Sequence, residues 1–141
     1  MIQPANICEA LIALWEDTTS LHALIPGGLW LAGTVPAEAV APYASFSVEE
    51  SENETGSNYV IRKFDLAVTV WSDGAAENAS TISNALNDWM PFSFDPSGLV
   101  LQGGRVVVVR LGTSSQDVED APRNANDVTV SKINRRIVTE E

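Results

Sequence analysis

Residues Tyr59 to Trp71 read YVIRKFDLAVTVW and run directly into Ser72-Asp73-Gly74. Phe64, Leu66, Val68 and Val70 alternate with Lys63, Asp65, Ala67 and Thr69, the period-two signature of a long strand with two unlike faces. The Phe64 face is built for a core. The Lys63-Asp65-Ala67-Thr69 face, ending on Trp71, is mixed and suits water or a neighbouring protein. Ser72 or Asp73 can cap the next element, a helix from Ala75 to about Met90. Along it Ala79, Ile82, Leu86 and Trp89 fall on one stripe, and Pro91 stops it.

Before the long strand lies a polar, acidic loop, Glu50 to Asn58, containing Gly56 and expected to be mobile in an isolated monomer. Before that, Pro42 to Glu50 alternates again as a short strand. Further upstream, Pro26-Gly27-Gly28 is turn chemistry and Leu29-Trp30-Leu31 a short strand after it. Ala37 to Ala41 has the makings of one helical turn. The chain opens on a helix ending near Asp17, with Ile7, Leu11 and Leu14 on its apolar face. Either Pro4 at the first helical position or Asn6 with Glu9 as a capping box can start it.

Beyond the second helix, strands are expected near Leu99 to Leu101, over Arg105 to Leu111, and from about Asp127 to Val138. A polar loop, Gly112 to Asn126, separates the last two. The sum is an α+β fold: a mostly antiparallel sheet of four or five strands with two helices side by side on one face. At 141 residues, with no internal repeat or dividing linker, residues 1–141 read as a single domain.

Charge is unevenly placed. The net charge is −11, and the first 61 residues hold eight acids and no base. The bases are Arg62, Lys63, Arg105, Arg110, Arg123, Lys132, Arg135 and Arg136. Such a chain should not grip a phosphate backbone, because that binding comes from clustered Lys and Arg releasing counterions. Met1 to Glu16 lacks the basic start of a secretory signal, and no apolar run approaches membrane-spanning length, so a cytoplasmic origin is expected and no membrane partner.

No chemistry stands out. Cys8 and His22 are each the only residue of their type. Cys8 falls on the apolar face of the first helix, where a buried thiol is the simple reading. His22 has no second histidine, nor carboxylate or thiol at ligand spacing, to build a metal site. Asp117, Glu119 and Asp120 lack the Gly and final Glu of an EF-hand loop. Gly27-Gly28 and Gly103-Gly104 lack the spacing of a phosphate loop. No catalytic residue, metal or cofactor is nominated.

The order of segments ALIALWED, PYASFSVEE, YVIRKFDLAVTVWSDGAAENASTISNALNDWM and RVVVVRLG, then a polar loop and a last strand, resembles the tail terminator or tail completion proteins of long-tailed bacteriophages. That family includes neck and minor tail proteins. The resemblance implies a non-enzymatic virion protein forming a homo-oligomeric ring, usually of six copies. Such a ring sits on the last ring of tail tube protein, stops tube growth and offers a docking surface to the head-side connector.

A closed ring needs one patch meeting a different one. The expected interface residues are Glu49, Glu50, Glu52 and Glu54 in the acidic loop, with Arg62, Lys63, Asp65, Trp71, Arg105, Arg123, Lys132, Arg135 and Arg136 opposite or beside them. The loop is expected to reach bases on a neighbour. DNA would pass through the ring without specific binding, repelled by the net charge. Two other readings stay open: another head–tail joining or head completion protein, or a small cytoplasmic binding module or enzyme.

Overall fold

A computed structural model describes the chain except residues 57, 74–75, 92, 95–97 and 113–127. The elements are α1 (Pro4–Asp17), α2 (Thr19–Leu24), β1 (Leu29–Leu31), β2 (Tyr43–Thr55), β3 (Val60–Asp73), α3 (Ala76–Trp89), β4 (Ser93–Phe94), β5 (Arg105–Leu111) and β6 (Val128–Glu140). The strands form one six-stranded sheet in the order β1-β2-β3-β6-β5-β4. Among the described residues only β1 and β2 pair in parallel, and the other pairings are antiparallel. The fold is α+β, as the alternation and helical stripes predict.

The expected core face holds. Phe64, Leu66, Val68 and Val70 are all fully buried, together with Phe46 and Ile137 from the adjoining strands, and Ile133 is nearly so. Burying each such side chain contributes about 1.5–3 kcal/mol to folding. Helix α1 lies against β1 and β2, and α3 against β3 and β6. Their stripes meet where Trp15 and Trp89 pack edge to face, 5.7 Å between ring centroids. The two helices therefore share one face of the sheet.

Several boundaries differ from expectation, each for a local reason. Pro4 starts α1, and Asn6 sits one turn in, where its Oδ1 accepts the Gln3 N–H at 2.8 Å. Thr18 does end α1, donating its hydroxyl to Leu14 O at 2.7 Å, but the chain turns at once into α2. His22 on α2 lies 2.6 Å through Nε2 from the Trp15 carbonyl, one of the orphan acceptors at the end of α1. Ala37 to Ala41 holds a single turn, closed by Ala39 N–H to Pro36 O at 3.0 Å. Gly27 is required by close approach: a Cβ there would lie 2.5 Å from Val40 O and 2.6 Å from Pro42 O.

Leu99 to Leu101 is not a strand. Leu99 is buried in the core without ladder pairing, and Ser93–Phe94 pairs with β5 instead. Of the expected loop from Gly112 to Asn126, all but Gly112 falls outside the described residues.

The largest correction concerns Glu50 to Asn58. The chain stays extended and paired to β3 as far as Thr55, through a bulge at Ser51 whose hydroxyl donates to Lys63 O at 3.2 Å. Poor strand propensity is overridden by a hydrogen-bonded neighbour. The loop shrinks to residues 56–59, closed by Gly56 N–H to Tyr59 O at 2.9 Å.

Candidate assembly surface

The second face of β3 was expected to meet water or a neighbour. The structure buries it within the chain: Ala67 is fully buried, Thr69 is 3% and Trp71 6% exposed, and Asp65 is 9% exposed. The Trp71 indole N–H donates to Ser45 Oγ at 3.4 Å, so Trp71 is a packing residue at the strand end. Asp65 accepts a two-pronged contact from Arg136, Nε to Oδ1 at 3.0 Å and Nη2 to Oδ2 at 3.3 Å. This fork geometry suits a partly desolvated pair.

Arg135 and Arg136 are consecutive and therefore point to opposite faces. Arg135 faces the core side, in the row Val48–Leu66–Arg135–Leu111, and is only 3% exposed. Its guanidinium donates to Met90 O at 2.7 Å, to Asn87 Oδ1 at 2.7 Å and to Asn134 O at 3.0 Å. The Met90 carbonyl belongs to the orphan acceptors after α3, where the helix dipole also favours a cation. Burial lowers the Arg135 pKa from its usual value. Arg135 thus holds α3 onto β6, with its guanidinium engaged inside its own chain. The alternation Ile133-Arg135-Ile137 was the signal in the sequence that could have placed it there.

The charged end of the sheet lies where β2, β3, β6 and β5 extend past the core rows. Arg62 Nη1 donates to Glu50 Oε1 at 2.8 Å, and its Nε lies 3.4 Å from Glu141 Oε1. Glu141 also accepts the Ile2 N–H and lies 3.9 Å from the Met1 amino group. Its pKa is lowered, first by the Ile2 hydrogen bond, which burial opposes, and further by the amino group and Arg62. Lys63 pairs with Glu54 at 3.7 Å, and Arg105 with Glu140 at 3.4 Å. Of the acids expected to reach across to another subunit's bases, Glu50 and Glu54 therefore meet bases of their own chain. Each such exposed pair contributes about 0–1 kcal/mol, which leaves them easy to exchange for partners elsewhere.

One row on the second face crosses the sheet as Glu49–Asp65–Arg136–Arg110. Its inner members pair with each other, while Glu49 and Arg110 at its ends are exposed and form no ion pair among the described residues. Lys132 is exposed as well. Arg123 and the Glu52 side chain lie outside the described residues. Cys8 is half-buried, and burial raises its thiol pKa. Among the described residues no three His, Cys, Asp or Glu side chains gather as a metal set. Among the described residues, what the surface offers is charge, gathered at one end of the sheet and along the Glu49–Arg110 row.

A family profile described as tail completion protein gp17 matches residues 9–135. Among solved structures, a chain of the virion of a native gene transfer agent particle is 22% identical, with a TM-score of 0.66 over 96% of this chain and 98% of that one. The gp17 protein of bacteriophage SPP1 is 15% identical, with a TM-score of 0.55 over 95% of this chain and 88% of that one. At these identities the shared property is the fold. No curated protein sequence matches the chain.

Proposed function

Since this chain belongs to the tail completion protein gp17 family, we propose that it closes the end of the phage tail tube as a homo-oligomeric ring. Membership makes it a structural protein of the virion, at the tail and neck. The ring, of six copies, seats on the last ring of tail tube protein, stops its growth and presents a docking surface to the head-side connector. DNA passes through without being held.

The observation that supports this reading is the distribution of charge around one sheet. Acids collect on β2, at one side, while Arg105 and Arg110 sit on β5 towards the other, each exposed. A subunit with unlike flanks is suited to a heterologous contact, which closes into a ring when the rotation allows. The net charge of −11 supports the non-binding channel, since a wall that repels duplex DNA lets it slide.

The test is direct. Gold-labelled protein is added to purified tail tubes and imaged by negative stain, with mass photometry of the same preparation. The expected result is gold at one end of each tube and tubes that no longer lengthen when tube protein is supplied. Gold scattered along the tubes, or confined to the portal side of the joint, would overturn the reading; the portal-side result would favour a head completion role.

A further inference from the structure

Among the described residues, the sheet has two strand edges with no strand outside them at the same end, and their directions and charges match. β1 covers β2 only from Ala44 to Phe46, so β2 from Ser47 to Thr55 has no strand on its outer side among the described residues. At the other flank β4 covers β5 only at Val108 and Val109, leaving Arg105 to Val107 without a strand outside them among the described residues. The two uncovered stretches share rows: Glu54–Ile61–Glu140–Arg105 and Asn53–Arg62–Thr139–Val106.

The backbone of β2 is aimed for such pairing. Ala44 donates to Gly28 O and Phe46 accepts from Ala32 N–H, each at 2.8 Å, so the even-numbered residues point their polar groups outward. With period two, Val48 and Glu50 continue that row beyond the reach of β1. Exposed, unpaired edge groups are a template for another strand. Here Glu49, Glu50 and Glu54 stand exposed along it, so two β2 edges meeting each other would set like charges face to face.

The strand that fits is basic and runs the opposite way. The steps β2 to β3, β3 to β6 and β6 to β5 are all antiparallel, so β2 and β5 run in opposite directions. A second copy in the same orientation would therefore lay its β2 antiparallel to this chain's β5. It would bring its glutamates towards Arg105, which is 60% exposed in its ion pair with Glu140.

We propose that the uncovered end of β2 in one copy pairs with the uncovered end of β5 in the next, continuing the sheet from subunit to subunit. Bulge and glutamates then act as a filter, blocking self-pairing while admitting the basic edge. The proposal rests on the ring reading above and names its joint.

The experiment uses the full chain with Cys8→Ala, carrying Asn53→Cys and Val107→Cys together or singly, under mild oxidation, with mass photometry of the reduced protein alongside. The expected result is a ladder of two, three and more linked chains from the double variant and monomers from each single variant. Linked dimers from Asn53→Cys alone would show β2 meeting β2 and overturn the proposal. A multimer by mass photometry with no ladder would overturn the joint while leaving the ring reading intact. Monomers in both assays would remove the ring reading and the joint together.

Discussion

The two ends of the sheet are built from opposite materials on one continuous ladder. At the end covered by β1, Tyr43 faces Trp71, Ala44 faces Val70 and Phe46 faces Val68, all buried. At the other end, Glu54 faces Ile61, Asn53 faces Arg62 and Arg105 faces Glu140, with ion pairs replacing apolar contacts. A one-residue slip at the first end would expose a core face, so burial there fixes the register. The second end inherits that register without contributing much to it. Its side chains are thereby available for contacts outside the chain.

A residue buried under α3 and one from the charged end should respond very differently to substitution. Arg135→Ala leaves Met90 O and Asn87 without their donor beneath α3 and should cost about 3 kcal/mol. Glu54→Gln should change stability by no more than about 0.5 kcal/mol, because its partner Lys63 is reached only across an exposed surface. Urea denaturation measures both. Equal losses would erase the distinction between a stabilising region and an available one.

That contrast also marks what could be read from the sequence. The core face of β3, the helical stripes of α1 and α3 and the valine strand were legible because apolar periodicity comes from burial within the chain. The extension of β2 to Thr55 was not, since Glu50, Glu52 and Asn53 carry no strand signal and are held extended by pairing with β3. The second face of β3 misled for a related reason. Lys63, Asp65 and Thr69 read as suited to water or a neighbouring protein, yet Asp65 is satisfied by Arg136 and Thr69 is buried, contacts set by register with a strand some seventy residues away. Arg135 was assigned by its charge when its parity with Ile133 and Ile137 was the better guide.

A smaller effect sharpens the comparison at the charged end. Glu141 has its folded pKa held below the usual carboxylate value, so its contribution is complete above that value and is lost as pH falls through the lowered one. Acidification should therefore release Ile2 from Glu141 before the core yields. In an NMR pH titration, the Ile2 amide should shift in that acid window while the amides of Phe64 to Val70 stay put. Glu141→Gln should abolish the step. Simultaneous movement of both groups would mean that the charged end is no separate unit.

The central claim is that the uncovered edge of β2 is where assembly happens. Hydrogen exchange read by mass spectrometry, on dilute protein and on the assembled form, follows the two halves of that one strand. Amides from Ser47 to Thr55 should gain protection on assembly, while those of Ala44 to Phe46, already covered by β1, should not change. Unchanged exchange across Ser47 to Thr55 in a protein that does assemble would contradict it.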